Sequence, residues 1–193
     1  MKNEIVFLKG KRLVLRPLLE ADLPKMLKWI NDPEVNQYLS VYAPKMEKDE
    51  EDWIERVRKS QNQGSDFVFS IQLIEGECIG NMGIHSISWK DRTATTGALI
   101  GEKEYWGKGY GSEAKMLLLD YAFNTLNLRK ISSTVIAFNK RSEAYSLKCG
   151  YKREGVRVKQ HYRNGEYWDE ILLALFKEDW LPLWEKFKKE KLS

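Results

Sequence analysis

The sequence predicts an α/β (α+β) fold, a mixed and mainly antiparallel sheet flanked by helices. Apolar residues alternate at a period of two in several segments, which is typical of half-buried strands, and recur at a helical period in others. Asn164-Gly165 separates two of the alternating segments, and this dipeptide favours a tight hairpin. The chain has 193 residues and no linker or internal repeat, so residues 1–193 are expected to form a single domain.

Composition and charge exclude several classes of protein. The chain is 42% hydrophobic and 31% charged, which indicates a folded domain, and its net charge of +4 is too small to indicate nucleic-acid binding. No apolar run approaches the roughly 20 residues that cross a membrane, and the first residues lack a signal-peptide pattern. We therefore expect a cytoplasmic protein with neither a membrane nor a nucleic-acid partner. Two cysteines and two histidines without metal-ligand spacing predict reduced thiols and no metal site.

The first half of the chain alternates between predicted strands and helices. Leu13 and Leu15 alternate with arginines and indicate a strand that Pro17 closes. The other elements of this half are an amphipathic helix at 23–30, an acidic helix at about 48–61, and strands at 67–73, 78–87 and 93–100. The Glu75-Gly76 turn joins two of these strands into an antiparallel hairpin.

The second half begins with a glycine-rich segment followed by a helix. This helix links the strand at 93–100 to a strand at about 131–135, and a strand, a helix and a strand in this order predict parallel neighbours. Asn139 is expected to cap a shorter helix that ends before Gly150, which can adopt the left-handed conformation. The last elements are a hairpin of strands at 156–162 and 167–175, an amphipathic helix containing Trp180, Leu183, Trp184 and Phe187, and a lysine-rich end that is expected to fray.

The glycine-rich segment from Trp106 to Ser112 has the features of an anion site. It lies between a predicted strand and a predicted helix, whose first amides have no partner within the helix. Gly107, Gly109 and Gly111 let the backbone approach a pyrophosphate closely, and Lys108 adds favourable charge to the helix dipole. The spacing lacks the ending of a nucleotide P-loop and does not match the dinucleotide fingerprint. Taken alone, it is equally consistent with a tight connection.

A wider resemblance indicates the ligand of this segment. Residues 100–114 resemble the acetyl-CoA pyrophosphate loop of the GNAT superfamily, in the branch of ribosomal-protein N-terminal acetylases and diamine and spermidine acetylases. The superfamily pattern is Arg or Gln, two residues, Gly, one residue, then Gly or Ala. Gly109 and Gly111 match this pattern, whereas Trp106 stands at the Arg or Gln position. The resemblance implies an N-acetyltransferase with acetyl-CoA as cosubstrate and no metal.

A second stretch resembles the other GNAT signature. That signature is an Asn followed by a Ser or Ala and, after a short helix, the sequence Lys-x-Gly-aromatic. This chain matches it with Asn139, Ser142 and the run Lys148-Cys149-Gly150-Tyr151. In many relatives a Tyr seven residues after the Asn is proposed to protonate the departing CoA thiolate. Ser146 occupies that register here, and Tyr145 lies one place earlier, about 100° around a helix. The register therefore favours Ser146 as the proton donor, with Tyr145 as the alternative.

The resemblance also implies the layout of the site. The sheet would be splayed between its fourth and fifth strands, with acetyl-CoA in the V-shaped opening and backbone amides near residues 99–101 on its pantetheine arm. The residues expected to bind the cosubstrate are Leu99, Ile100, Gly101, Trp106, Gly107, Lys108, Gly109, Tyr110, Gly111, Ser112, Asn139, Ser142 and Lys148. The acceptor is expected to be a primary amine of a protein N-terminus, a polyamine or another small molecule. The sequence does not separate these classes.

The sequence does not identify the general base either. Transfer needs a neutral amine, and His85, which titrates in a suitable range, is one candidate. Glu102, Glu166 and Asp169 are the others. The acidic stretch at 47–55 is either a solvated helix face or an attraction for a cationic acceptor. A non-catalytic acyl-CoA-binding sensor on the same fold is the alternative function, and a homodimer is left open.

Overall fold

The computed structural model describes residues 5–192, and its strands form one eight-stranded sheet. The strands are β1 (Leu8–Lys9), β2 (Leu13–Pro17), β3 (Phe67–Leu73), β4 (Cys78–Ser88), β5 (Thr93–Ile100), β6 (Lys130–Ile136), β7 (Lys152–Arg163) and β8 (Glu166–Phe176). The helices are α1 (Leu23–Asn31), α2 (Pro33–Asn36), α3 (Glu47–Asn62), α4 (Tyr110–Asp120), α5 (Lys140–Lys148) and α6 (Lys177–Phe187). Short π-helical segments extend α4 to Thr125 and α6 to Leu192.

The strand order β1-β2-β3-β4-β5-β6-β8-β7 confirms the mixed, mainly antiparallel sheet. Every neighbouring pair is antiparallel except β5 and β6, which are parallel, as their connection through α4 predicts. The β7–β8 hairpin turns at Asn164 and Gly165, whose φ angles of 53° and 84° are the positive values that such a turn requires. The hairpin signal in the sequence is therefore confirmed.

Two apolar clusters hold the helices to the sheet. The larger cluster packs Leu118 of α4 and Trp180 of α6 against apolar residues of the central strands. The smaller one contains Trp29 of α1 and Val35 of α2, with the half-buried Trp53 of α3 against it. Trp29 and Trp180 are both fully buried, and indole rings remove a large apolar area from water. The helices are thereby fixed where they frame the central strands.

Three features differ from the sequence prediction. β1 spans two residues, too few to show an alternating pattern, so the sequence did not predict it, and the two strands predicted as the fourth and fifth are β5 and β6. Pro33 not only follows the end of α1 but also begins α2, a single turn that Asp32 caps by accepting from the amide of Glu34 at 2.9 Å. The lysine-rich end does not fray but stays helical, and Lys188 pairs with Glu185 at 2.7 Å.

Features typical of membrane spans and of metal sites are absent from the described part of the fold. Among residues 5–192, no helix is both long enough and apolar enough to cross a bilayer. Within the same part of the chain, no three side chains of His, Cys, Asp or Glu are grouped as a metal ion needs. Cys78 and Cys149 are free thiols, and both are buried.

Candidate active site

The central feature of the fold is a cleft between β5 and β6. The two strands pair over only three residues, Thr93–Thr95 with Lys130–Ser132, and beyond them each strand continues with its outer neighbour alone. At the base of the cleft the hydroxyl of Ser133 donates to the carbonyl oxygen of Thr96 at 3.2 Å. The cleft has a volume of about 550 Å³, which suits an elongated small molecule.

The glycine-rich segment forms one end of this cleft, where α4 begins. Gly107 and Gly109 have φ angles of 74° and 84°, in the left-handed region that favours glycine, and Gly109 immediately precedes α4. A Cβ on Gly111 would meet nothing closer than Cγ1 of Ile100 at 3.9 Å. Gly111 and Ser112 line the cleft beside the first amides of α4, which have no partner within the helix. Open space next to such amides fits an anionic group such as a pyrophosphate.

Arg12 fixes the position of this segment, a role that the sequence did not indicate. Its Nε donates to Oε2 of Glu113 at 2.7 Å and its Nη1 donates to the carbonyl oxygen of Lys108 at 3.0 Å. The guanidinium also lies 4.2 Å from the ring centre of Tyr110. Glu113, which is 4% exposed, accepts the backbone amide of Arg12 at 2.8 Å as well. Because one buried carboxylate accepts hydrogen bonds from both the backbone amide and the guanidinium of Arg12, β2 and the start of α4 are held together.

Most of the residues expected to bind the cosubstrate line the cleft. They are Leu99, Ile100, Trp106, Gly107, Gly109, Gly111, Ser112, Asn139, Ser142 and Lys148. Gly101, Lys108 and Tyr110 are absent from the lining. The amide of Gly101 already donates to the carbonyl oxygen of Ile79 at 2.9 Å, and a Cβ there would lie 2.0 Å from the Trp29 ring. Gly101 therefore packs the end of β5 against Trp29, and its expected contact with the pantetheine arm stays a prediction.

Helix α5 places Tyr145, rather than Ser146, on the wall of the cleft. Tyr145 lines the cleft, whereas Ser146 is 1% exposed and shares the inward face of α5 with Cys149. The side chain of Tyr145 thus faces the cleft and that of Ser146 does not, and which of the two gives the proton stays a prediction. Asn139 caps the helix as expected, since its side chain accepts from the amide of Ser142 at 3.1 Å. Burial raises the pKa of Tyr145, so its hydroxyl stays protonated at neutral pH.

An aromatic and cationic contact spans the mouth of the cleft. The guanidinium of Arg141 lies 3.8 Å from the ring centre of Trp106 and 5.4 Å from that of Tyr38. Nε1 of Trp106 donates to the carbonyl oxygen of Ile100 at 2.6 Å. Trp106, the residue at the Arg or Gln position of the superfamily pattern, thus connects α5 to the end of β5.

A second cavity of about 620 Å³ lies beside the first and shares residues 97–99 of β5 with it. Its lining carries two carboxylates, Asp49 and Glu50, and two cations, Lys45 and Arg56. Burial raises the pKa of Glu50, and no salt bridge to its carboxylate is present within residues 5–192. Lys45 and Arg56 act on Glu50 only through longer-range attraction, so a partly buried carboxylate without a direct ion pair is available to a cation from outside.

His85 lines the second cavity and lies next to Gly97, which both cavities share. Its Nδ1 is 3.4 Å from Oδ1 of Asp66, which favours the tautomer with the hydrogen on Nδ1 and leaves Nε2 as a proton acceptor. Nε2 lies over Gly83 and Gly97, 2.6 and 3.7 Å from where a Cβ would stand on each. Desolvation lowers the pKa of His85 below its ordinary 6.5, against the opposing effect of Asp66. The ring is therefore neutral at pH 7.

The three carboxylates predicted as alternative bases do not line either cavity. Glu102 accepts from Nε1 of Trp29 at 3.0 Å and pairs with Lys28. Asp169 accepts from the backbone amide of Lys159 at 2.8 Å. Neither these two residues nor Glu166 line either cavity. Among the four candidates, His85 is the one that lines a cavity.

Comparisons with known proteins agree with this site. The family model described as an acetyltransferase (GNAT) domain matches residues 12–152. A Vibrio cholerae spermidine N-acetyltransferase, solved with CoA and spermine, has a TM-score of 0.79 and 25% identity over 88% of this chain and 98% of its own. An uncharacterised Bacillus licheniformis N-acetyltransferase, p20, is 29% identical over 88% of this chain and 96% of its own. The Escherichia coli K12 spermidine N(1)-acetyltransferase is 31% identical over 55% of this chain and 57% of its own. With the family model covering most of its length, this chain belongs to the GNAT family of acetyl-CoA-dependent acetyltransferases.

Proposed function

We propose that this acetyltransferase moves the acetyl group of acetyl-CoA directly to a primary amine of a small cationic acceptor, with a polyamine as the first candidate. The observation that carries the proposal is the meeting of two cavities at residues 97–99, with the glycine-rich segment on one side and Asp49 and Glu50 on the other. Acetyl-CoA in the first cavity and an amine in the second would bring the reacting atoms together. The similarity to spermidine acetyltransferases supports this acceptor class.

The residues of the cleft fit acetyl-CoA from one end to the other. The first amides of α4, at Tyr110 to Ser112, would receive the pyrophosphate. Arg141 and Lys148 line the cleft and would neutralise phosphate charge. Within residues 5–192 the backbone ladder between β5 and β6 ends at Thr95, and on that side the carbonyl oxygen of Thr96 accepts only from the side chain of Ser133, so backbone groups of β5 beyond Thr96 can pair with the amides of the pantetheine arm. The thioester would then lie near the base of the cleft, at Thr96.

The reaction uses His85 on the amine side of the thioester and Tyr145 on its sulfur side. Nε2 of His85 takes a proton from the acceptor ammonium, and the neutral nitrogen attacks the thioester carbon. The C–N bond forms, the C–S bond breaks, and the electron pair of the C–S bond goes to sulfur. The hydroxyl of Tyr145 gives its proton to this thiolate, and a proton released by the new amide nitrogen restores Tyr145 through solvent. His85 releases the proton of the ammonium to solvent, and the products are an N-acetylated amine and CoA.

Asp66→Asn is expected to lower kcat/KM for the amine by about tenfold, because the amide orients His85 less well than the carboxylate does. Asp66 raises the pKa of His85, so its removal lowers that pKa. The acidic limb of kcat/KM should therefore move to lower pH, measured from pH 5 to 8. Asp91→Asn, a surface change that removes a carboxylate bound to the hydroxyl of Ser88, is the matched control. An unchanged pH profile in Asp66→Asn would contradict the role of His85.

The acceptor is tested by an acetyl-CoA consumption screen over polyamines, diamines, aminoglycosides, free amino acids and peptides. We expect the highest kcat/KM with a polyamine, and Glu50→Gln should raise KM for that amine but not for acetyl-CoA. Lys45 and Arg56, which also line the second cavity, favour an amine that bears a carboxylate, so amino acids are the second candidate. CoA binding without turnover of any amine would contradict the proposal.

A further inference from the structure

Lys115 is a fully buried lysine in the second turn of α4. Its side chain is 0% exposed, and its Nζ donates to Oγ1 of Thr96 at 2.8 Å. No carboxylate forms a salt bridge with it in the part of the chain that the structure describes, and desolvation is the main influence on its charge. Its neighbours along α4, Ala114 and Leu117, belong to the apolar core. A methionine or leucine would fill this position without desolvating an ammonium group.

The surroundings of Lys115 connect it to the base of the cleft. Thr96 Oγ1 also shares a hydrogen bond with the hydroxyl of Tyr151 at 2.9 Å. The ring centres of Tyr145 and Tyr151 each lie 5.7 Å from Nζ of Lys115. Thr96 is the first residue of β5 beyond the paired segment, and both Thr96 and Tyr145 line the cleft. The ammonium is thus one residue removed from the position at which the thioester would react.

We propose that Lys115 is a positioning residue for acetyl transfer, which holds Thr96 where the strands separate and supplies positive charge beneath Tyr145. The proposal rests on the function proposed above, in which Tyr145 gives its proton to the CoA thiolate. As that proton moves, negative charge develops on sulfur and then on the phenolate oxygen. A fixed positive charge beneath the ring, in a site shielded from water, stabilises the phenolate that Tyr145 becomes and needs no reorganisation to do so. The bond changes are those already given, and Lys115 neither gains nor loses a proton in them.

The effect of Lys115 on the pH dependence of kcat can be separated from the titration of the neighbouring groups. Desolvation lowers the pKa of Lys115 to about 8. The titratable groups that face it are Tyr145, Tyr151 and Cys149, together with His85, whose pKa the charge of Lys115 lowers. Burial raises the pKa of Cys149 to about 11 and raises that of both tyrosines, whereas desolvation lowers the pKa of His85 from its ordinary 6.5. A decline of kcat above about pH 8 would therefore report the loss of charge on Lys115.

The lowered pKa of Lys115 also makes the free energy of unfolding depend on pH. The ordinary lysine pKa of 10.5 applies to the unfolded chain, and the folded pKa is about 8. Between these values the unfolded state binds more protons, so stability rises with pH, and below about 8 the buried charge is fully destabilising. Lys115→Met should therefore raise the midpoint of thermal unfolding at pH 7. This gain should shrink as the pH approaches 10.5.

The test compares the wild type, Lys115→Met, Tyr145→Phe and the double variant, using the amine that the acceptor screen identifies. We expect Lys115→Met to lower kcat by about tenfold and to lose the decline above pH 8, with KM for acetyl-CoA within about twofold of the wild type. Because Lys115 acts through Tyr145, the double variant should lose little more than Tyr145→Phe alone. Thr96→Val keeps the lysine but removes the hydroxyl that accepts its hydrogen bond, and should lower kcat by about threefold. This variant replaces Lys115→Met as the test if Lys115→Met folds poorly.

Two results would overturn the inference. One is a Lys115→Met protein with higher thermal stability but with the kcat and pH profile of the wild type. The other is a loss in the double variant equal to the product of the two single losses. Failure of the function proposed above has a different signature, because the wild type itself would then turn over no amine.

Discussion

Replacement of Gly111 by valine is expected to weaken CoA binding by at least about a hundredfold while the protein stays folded. Gly111 lines the cleft in the first turn of α4, and its φ angle lies outside the left-handed region. A side chain there has room within the protein, where the nearest atom belongs to Ile100, but it would fill the space that the pyrophosphate needs. Titration calorimetry with CoA and the midpoint of thermal unfolding measure the two effects separately.

The choice of Gly111 over Gly109 matters for this experiment. Gly109 has a φ angle of 84°, so any side chain would strain the backbone there, and lost binding could result from misfolding. Gly111→Ala is a graded control, because the superfamily pattern admits alanine at this place. Gly155→Val on β7 is a second control, because it adds the same side chain at a glycine that does not line the cleft. A Cβ on Gly155 would lie 3.5 Å from Leu172, its nearest contact. Wild-type CoA affinity in a folded Gly111→Val protein would contradict the assignment of the pyrophosphate site.

Tyr145→Phe is expected to lower kcat by up to about a hundredfold, with little change in KM for acetyl-CoA. The change removes one hydroxyl from the cleft wall and keeps the ring that packs beside Lys115. Without a proton donor, the CoA thiolate must leave as an anion. Steady-state kinetics at saturating amine measures the loss in kcat.

Ser146→Ala is the matched control for Tyr145→Phe. It removes a hydroxyl one place along α5, from a residue that does not line the cleft. We expect it to leave kcat within about twofold of the wild type. A loss in Ser146→Ala as large as that in Tyr145→Phe would show that the sequence register, rather than the position on the cleft wall, identifies the donor.

Local patterns in the sequence predicted much of this fold. The strand expected at 93–100 has those bounds in the structure, and the Asn164-Gly165 turn and the Asn139 cap are both present. These signals are short-range, because side-chain periodicity, turn conformation and capping depend on residues within a few positions of each other. The glycine-rich segment was recognised for the same reason, since its glycines and the start of α4 are adjacent in the chain.

The parts that the sequence did not reveal depend on long-range contacts or on the rotation of a helix. Arg12 and Glu113 are 101 positions apart, and neither residue type by itself indicates a partner. Lys115 belongs to a residue type that is almost always exposed, so nothing in the sequence placed it in the core. Whether Tyr145 or Ser146 faced the cleft depended on about 100° of rotation, which tertiary packing decides.

Within residues 5–192, β7 is the last strand in the sheet order and pairs on one side only, with β8. Val156 and Val158 on it are 51% and 74% exposed, and an exposed apolar edge can recruit strands from other molecules. The register of β7 against β8 shifts between Arg153 and Gly155 and again between Arg157 and His161. Lys159, inside the second irregularity, has a φ angle of 51°, which no regular strand allows. A neighbouring molecule therefore finds no straight row of hydrogen-bonding groups there, and concentrated solutions of this enzyme should resist aggregation through strand addition.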